Sequence, residues 1–274
     1  MKTDNLTAES IRKYIPNVLT EVEGETPLIE KLAPFIASAK MWLESEYIGP
    51  DDFLSEQHNE LALKVLVAKA FLDAVPSLDL VLTPSGFGVI STESMAPASK
   101  ERVERLTASL EDYIKANLAL LVDLCRKYEA WQSSECGQYF CSTFFPSLRD
   151  FYRYRSDRFK TYDEFRSHCR AAESALASKC LGCNLMDSLR KSYISDNYIQ
   201  DLSLVNGIRR AVLSLLPAEN VLFDQNRLWH AAEPVIRELS FPDNEEHWKM
   251  WKEEMGELFD TPAFKNDIKG GFYF

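Results

Sequence analysis

The sequence predicts an all-α protein: two helical bundles joined by a long helix, with one short β-hairpin at about 81–90 in the N-terminal half. Three observations carry that prediction. The run Leu61–Val75, LALKVLVAKAFLDAV, is apolar nearly all round, broken only by Lys64, Lys69 and Asp73. A helix of that kind has to be enclosed by other helices. Elsewhere apolar residues recur at helical spacing through long stretches of the chain. The composition agrees, with 46% hydrophobic residues, 27% charged residues and only ten glycines in 274 positions, few for an all-β fold.

In order along the chain, Leu6–Tyr14 reads as a short helix capped by Thr7, followed by an acidic loop carrying Glu21, Glu23 and Glu25. Thr26-Pro27 is a start signal, a capping side chain followed by proline in the first turn. The helix it opens carries Leu28, Leu32, Phe35, Ile36, Ala39, Leu43 and Tyr47 on one stripe, and Gly49-Pro50 stops it. The apolar run comes next and is expected to end at Pro76. In LVLTPSGFGVI (80–90), β-prone residues flank Pro84-Ser85-Gly86, the pattern of a hairpin or extended arm. A lone hairpin is marginal in water, so this one needs a surface to pack on.

Pro97 and Ser99 open a long helix reaching to Trp131, with Val103, Leu106, Leu110, Tyr113, Leu120 and Leu124 in a seven-residue rhythm that Asn117 interrupts. At ~1.5 Å rise per residue it would span about 45 Å and bridge two halves. The segment QSSECGQYFCSTFFPS is aromatic, cysteine-bearing and aperiodic, which places a domain boundary near Trp131, with domains 1–130 and 131–274. Helices are then expected over Tyr162–Lys179, Tyr198–Leu216, Arg227–Leu239 and Glu245–Phe259, before an aromatic tail. The segments 36–49 (IASAKMWLESEYIG) and 169–182 (CRAAESALASKCLG) share small residues on one face, then leucine, then a terminal glycine. That likeness raises duplication of one unit as an alternative to two unrelated halves.

The formal net charge is −11. An acidic chain is repelled by a nucleic-acid backbone and releases no counterions on meeting it, so the balance argues against nucleic acid as a partner. The stretch MKTDNLTAESIRKY has no apolar signal core, and no apolar run reaches the ~20 residues that span a bilayer. The expectation is a cytoplasmic protein, or one of a particle assembled in the cytoplasm, with no membrane partner and its six cysteines reduced.

Cys136 and Cys141 (CxxxxC) with Cys180 and Cys183 (CxxC) offer four thiols that a zinc ion would take as a tetrahedral set. The competing account is that they pack as small hydrophobes. His58, His168, His230 and His247 are scattered, without an HExxH or an i, i+4 pair. No GxGxxG, GxxxxGK[ST] or GxSxG occurs. These absences lead to the expectation of a non-enzymatic chain with no cofactor and no small-molecule substrate. Residues 148–160, LRDFYRYRSDRFK, set five basic residues against two acidic ones, a local balance of +3, with aromatics between them. Arg153, Arg155 and Arg158 are candidates there to grip an acidic protein surface through bidentate pairing. The plainer alternative is a solvated connector paired with the chain's own carboxylates.

The helix IASAKMWLESEYIG, a connection, and the helix LALKVLVAKAFLDAV with a proline soon after together resemble the helical unit of tailed-phage head–tail connector (head-completion adaptor) proteins. LTPSGFGVISTESMAPASKERVERL and the terminal GGFYF resemble an uncharacterised prophage-borne structural family associated with the same role. The resemblance covers the first half; the second half is additional to the shorter adaptors. It implies a virion structural protein that assembles with copies of itself and with portal or tail components. The hairpin, with Phe87 and Val89, and the tail, with Phe272, Tyr273 and Phe274, would then be arms reaching neighbouring subunits. Docking of both within the chain is the alternative, since termini are often tied down in their own domain.

Overall fold

The computed structural model describes residues 6–15, 26–49, 56–78, 80–83, 86–89, 99–154, 159–195, 199–216 and 224–259. Nearly all of them are helical. The chain divides into two compact units, 1–165 and 166–274. The division falls between Phe165 and Arg166, inside a helix, and not near Trp131 as the change in composition suggested.

In the first unit, α1 (Ala8–Tyr14), α2 (Leu28–Leu43), α3 (Glu56–Leu78) and α4 (Lys100–Cys125) form the main layer. The apolar run is the centre of it: Ala62, Val65, Leu66, Val67, Ala68, Ala70 and Ala74 are all buried. α3 packs on α2 along one side and on α4 along the other, as a helix without a polar face requires. Its interrupting charges are accounted for locally. Lys69 pairs with Asp73 at 2.6 Å and lies over the Trp42 ring at 5.5 Å, and Lys64 reaches Glu60 at 3.7 Å. Pro76 does not end α3, which runs on to Leu78; a proline this near the C-terminus disturbs little of the helical ladder. Leu80–Thr83 (β1) and Gly86–Val89 (β2) pair antiparallel, with Leu80 opposite Val89 and Thr83 opposite Gly86.

The long helix is shorter than expected. α4 stops at Cys125, and a turn leads to α5 (Glu129–Ser133) and α6 (Glu135–Cys141). The turn is held by the Gln132 side-chain amide, which donates to the Arg126 carbonyl at 2.7 Å. α4 lies wholly inside the first unit and therefore does not join the two; the chain passes from one to the other within α8 (Tyr162–Leu176). The aromatic segment belongs to the first core. After α7 (Leu148–Tyr154), the start of α8 brings Phe165 against Phe145, Phe151 and Phe159, with ring centroids 5.6, 5.9 and 5.7 Å apart.

His58 is buried in this unit, edge-on to the Tyr128 ring at 4.9 Å. Burial holds its pKa below the ordinary histidine value, against a hydrogen bond with the Leu124 backbone that acts the other way. The unfolded chain therefore takes up this proton at a higher pH than the folded one does. Stability of the unit is expected to fall as pH drops through ~6.5 towards the folded pKa. The check is the urea midpoint at about pH 7.5 and about pH 5.5. His58→Leu should lose less on acidification than the parent.

The second unit contains the rest of α8, α9 (Cys183–Ile194), α10 (Leu202–Leu215), α11 (Gln225–Leu239) and α12 (Glu245–Phe259), around a core that includes Leu176, Leu185, Leu189, Val205, Ile208 and Leu239. α10 and α11 pack on each other, as do α9 and α12.

One local construction occurs in each unit. α2 runs without a break into a π-helical turn, Glu44–Ile48, closed by the Gly49 amide donating to the Glu44 carbonyl at 2.8 Å. α8 runs into a π-helical turn, Ala177–Leu181, closed by the Gly182 amide donating to the Ala177 carbonyl at 2.9 Å. The glycines take φ 74° and 84°, where a side chain is strained. A wide turn at a helix end leaves carbonyls without a partner in the helix. A tryptophan meets one of them in each case, at the second residue before the glycine. Trp131 Nε1 donates to the Tyr47 carbonyl and Trp251 Nε1 to the Cys180 carbonyl, both at 2.9 Å. The third residue after each tryptophan, Ser134 or Glu254, stands beside the glycine. Buried positions match too: Leu32, Ala39, Leu43 and Ile48 correspond to Phe165, Ala172, Leu176 and Leu181.

Candidate functional site

The π-helical turn of the first unit, α6 and the first residues of α8 enclose an open groove of about 520 Å³. Ser45, Glu46 and Tyr47 come from the turn, Glu135, Cys136, Tyr139 and Phe140 from α6, and Thr161, Tyr162 and Asp163 from the start of α8. The local sequence explains each wall. Leaving α2 through a wider turn shifts Glu46 and Tyr47 from the phase of the preceding stripe. Ser134 caps α6 by accepting from the Gly137 amide at 3.1 Å. Thr161 Oγ1 accepts from the Glu164 amide at 3.2 Å and the Glu164 carboxylate from the Thr161 amide at 3.4 Å, a capping box at the start of α8, and the same carboxylate accepts from the Lys160 amide at 2.7 Å.

The groove's surface is aromatic. Phe140 stacks on Tyr162 at 5.2 Å and lies 6.0 Å from Tyr47, while Tyr139 stands edge-on to Phe140 at 5.3 Å. Two rings are pinned by their hydroxyls: Tyr139 donates to Asp163 Oδ1 at 2.9 Å, and Tyr162 donates to the Phe145 carbonyl at 2.8 Å. Burial, with the Glu46 carboxylate second, raises the Tyr47 pKa, so its phenol stays protonated. Three carboxylates, Glu46, Glu135 and Asp163, stand exposed around the aromatic surface, and no lysine or arginine lines the groove.

At its base Cys136 Sγ donates to the Ser45 carbonyl at 3.3 Å. Burial raises this thiol's pKa, and Glu135 and Glu46 add to the rise, so both carboxylates act on one point. The Ser45 hydroxyl donates to the Trp42 carbonyl at 3.3 Å, and no histidine lines the groove. The groove thus presents acceptors and ring faces, with its thiol protonated.

The other sequence candidates fare differently. Arg153 is exposed on α7, whereas Arg155, Arg158, Phe272, Tyr273 and Phe274 lie outside the described residues. Arg149, in the same basic stretch, pairs with Asp123 at 3.2 Å. Phe87 and Val89 are on β2. Cys136 and Cys141 belong to the first unit and Cys180 and Cys183 to the second; among the described residues no group of three or more His, Cys, Asp or Glu side chains is placed to hold a metal ion. Cys180 is buried and gives its carbonyl to Trp251. Cys183 opens α9, where its amide and that of Asn184 donate to the Glu254 carboxylate at 2.7 and 2.9 Å. A second groove, also about 520 Å³, lies in the second unit between α9 (Asn184, Asp187, Lys191) and α12 (Met250, Glu253). Among the described residues no helix is long and apolar enough to cross a membrane.

Burial pushes the Cys125 thiol up to about 12 and the Cys141 thiol up to about 11. Cys183 is raised as well, by burial and then by Glu254 and Asp187, but it is the exposed one. A thiolate-selective disulfide reagent at neutral pH should therefore modify Cys183 first and slowly, and should reach all six cysteines only in denaturant. Fast native labelling of Cys125 would contradict that burial.

Residues 15–141 match the family model described as "Family of unknown function (DUF6712)". The match covers α2, α3 and α4 of the first unit, the π-helical turn and the α6 wall of the groove, and begins after α1. No curated protein matches the chain. No solved structure matches it.

Proposed function

We propose that this chain is a non-enzymatic virion structural protein of a tailed phage or prophage, a head–tail adaptor that works by protein–protein contact. Its partners are portal or tail components and further copies of itself, met in the host cytoplasm or in the particle. The observation that carries this reading is the groove beside the π-helical turn. It offers aromatic faces and exposed carboxylates fixed on three helix ends, with its one thiol held as a donor to a backbone carbonyl. Such a surface suits recognition of a protein neighbour more than bond-making chemistry. The nesting of α3 between α2 and α4, followed directly by the β1–β2 pair, supports it as the arrangement that the connector resemblance implies. We also read the second unit as a distant copy of the first, on the strength of the two tryptophan-latched turns.

A zinc module on Cys136, Cys141, Cys180 and Cys183 is not favoured, because neither unit's pair has a third His, Cys, Asp or Glu ligand beside it among the described residues. A helical scaffold for an unrelated host protein would share the groove. Native mass measurement of the purified chain over a range rising to high concentration tests the adaptor reading. A closed oligomer of defined size is expected. A strict monomer at every concentration would overturn it.

A further inference from the structure

We infer that the groove between the π-helical turn and α6 is a receptor for an arginine side chain presented by a partner polypeptide. The inference rests on the contact-based reading above and names the chemistry of the contact. Glu46 and Glu135 enter the groove from different elements, and among the described residues neither is in an ion pair. Asp163 comes from a third element, its position fixed by Tyr139. Glu46 and Glu135, brought to one groove that no lysine or arginine lines, repel one another, so the arrangement gains from a positive guest. The rings set the guest's type. Tyr47, Tyr139 and Tyr162 are half-buried and leave part of each ring open to the groove, while the fully buried Phe140 stacks on Tyr162 at an interplanar angle of 23°. A flat, delocalised guanidinium lies on such faces and takes carboxylates bidentately at its edge. An ammonium is a strongly hydrated point charge that matches neither feature as well. A volume of about 520 Å³ takes the side chain together with part of the segment that carries it. Charge selects the class of partner: a chain of net charge −11 meets basic segments more readily than acidic ones.

The test uses the full chain and three blocked tripeptides, Gly-Arg-Gly, Gly-Lys-Gly and Gly-citrulline-Gly, by titration calorimetry at low ionic strength. Citrulline keeps the shape of arginine without its charge. The arginine peptide is expected to bind severalfold more tightly than the lysine peptide and at least about tenfold more tightly than the citrulline one. Glu46→Gln with Glu135→Gln should weaken it at least about tenfold, with the circular dichroism spectrum unchanged. Equal binding of arginine and citrulline peptides, no binding of either, or an undiminished affinity in the double variant would overturn the inference. Agmatine binding more tightly than the arginine peptide would overturn the assignment to a polypeptide. The two proposals fail separately. Closed oligomers without arginine binding would sink the groove assignment alone, and arginine binding by a strict monomer would sink the adaptor reading alone.

Discussion

Trp131→Ala is expected to lower the stability of the first unit by about 3–5 kcal/mol, enough to move its urea transition far below that of the parent. The indole is fully buried, stacks on Phe140 at 5.9 Å and donates to the Tyr47 carbonyl. Truncation therefore opens a cavity and leaves a part-buried carbonyl without its donor. Trp131→Phe separates the two effects. It keeps most of the volume and loses the hydrogen bond, at a cost of about 1–3 kcal/mol for the orphaned carbonyl. It should also loosen Glu46 and Tyr47, and hence one wall of the groove. Trp251→Phe should do the same to the second unit through the Cys180 carbonyl. The measurement is urea unfolding followed by far-ultraviolet circular dichroism. A Trp131→Phe transition coincident with the parent's would show that the latch contributes nothing.

Gly137→Ala is expected to cost about 3 kcal/mol, at the upper end for one inserted methyl group. A Cβ at that position would lie 1.8 Å from the Trp131 carbonyl oxygen, 2.6 Å from its carbonyl carbon and 2.7 Å from Gln132 Cα. All three are backbone atoms of α5, so no side chain can swing aside, and α5 and α6 must move apart. Gly49→Ala offers the contrast. Its Cβ would meet nothing nearer than the Ser134 hydroxyl at 3.8 Å, leaving the strain of φ +74°, about 1–2 kcal/mol. Thermal unfolding of both variants should therefore place Gly137→Ala well below Gly49→Ala. The reverse order would mean that backbone conformation, and not the close approach of α5 to α6, governs this corner.

The helical layer was legible because its signals are periodic. Apolar residues at helical spacing located α2, α8 and α10, helices were also expected where α11 and α12 lie, and the lack of a polar face placed α3 at the centre of the first unit. What escaped was aperiodic or tertiary. Nothing in RKYEAW is a helix breaker, so the stop at Cys125 depends on contacts such as that of Gln132 with the Arg126 carbonyl. The aromatic stretch after Trp131 looked like a boundary because core residues on short helices and turns keep no repeat; in the structure they surround Phe165. Gly49 and Gly182 were readable as stops, but the extra residue in each preceding turn leaves no mark in sequence. The groove draws on three separate segments, and only their packing brings Glu46, Glu135 and Asp163 together. The arginines and terminal aromatics chosen for exposure and charge lie elsewhere in sequence. Gly137 gave no signal, since a glycine in a short helix does not reveal the backbone beside it.

In the role proposed for it, the chain acts as a component of an assembled particle, through its surface. Quantitative peptide mass spectrometry of purified, DNA-filled particles from a strain carrying the gene measures this most directly. Its peptides are expected in those particles at a fixed ratio to the portal. Recovery of the chain from the soluble lysate alone, with none in complete particles, would contradict it.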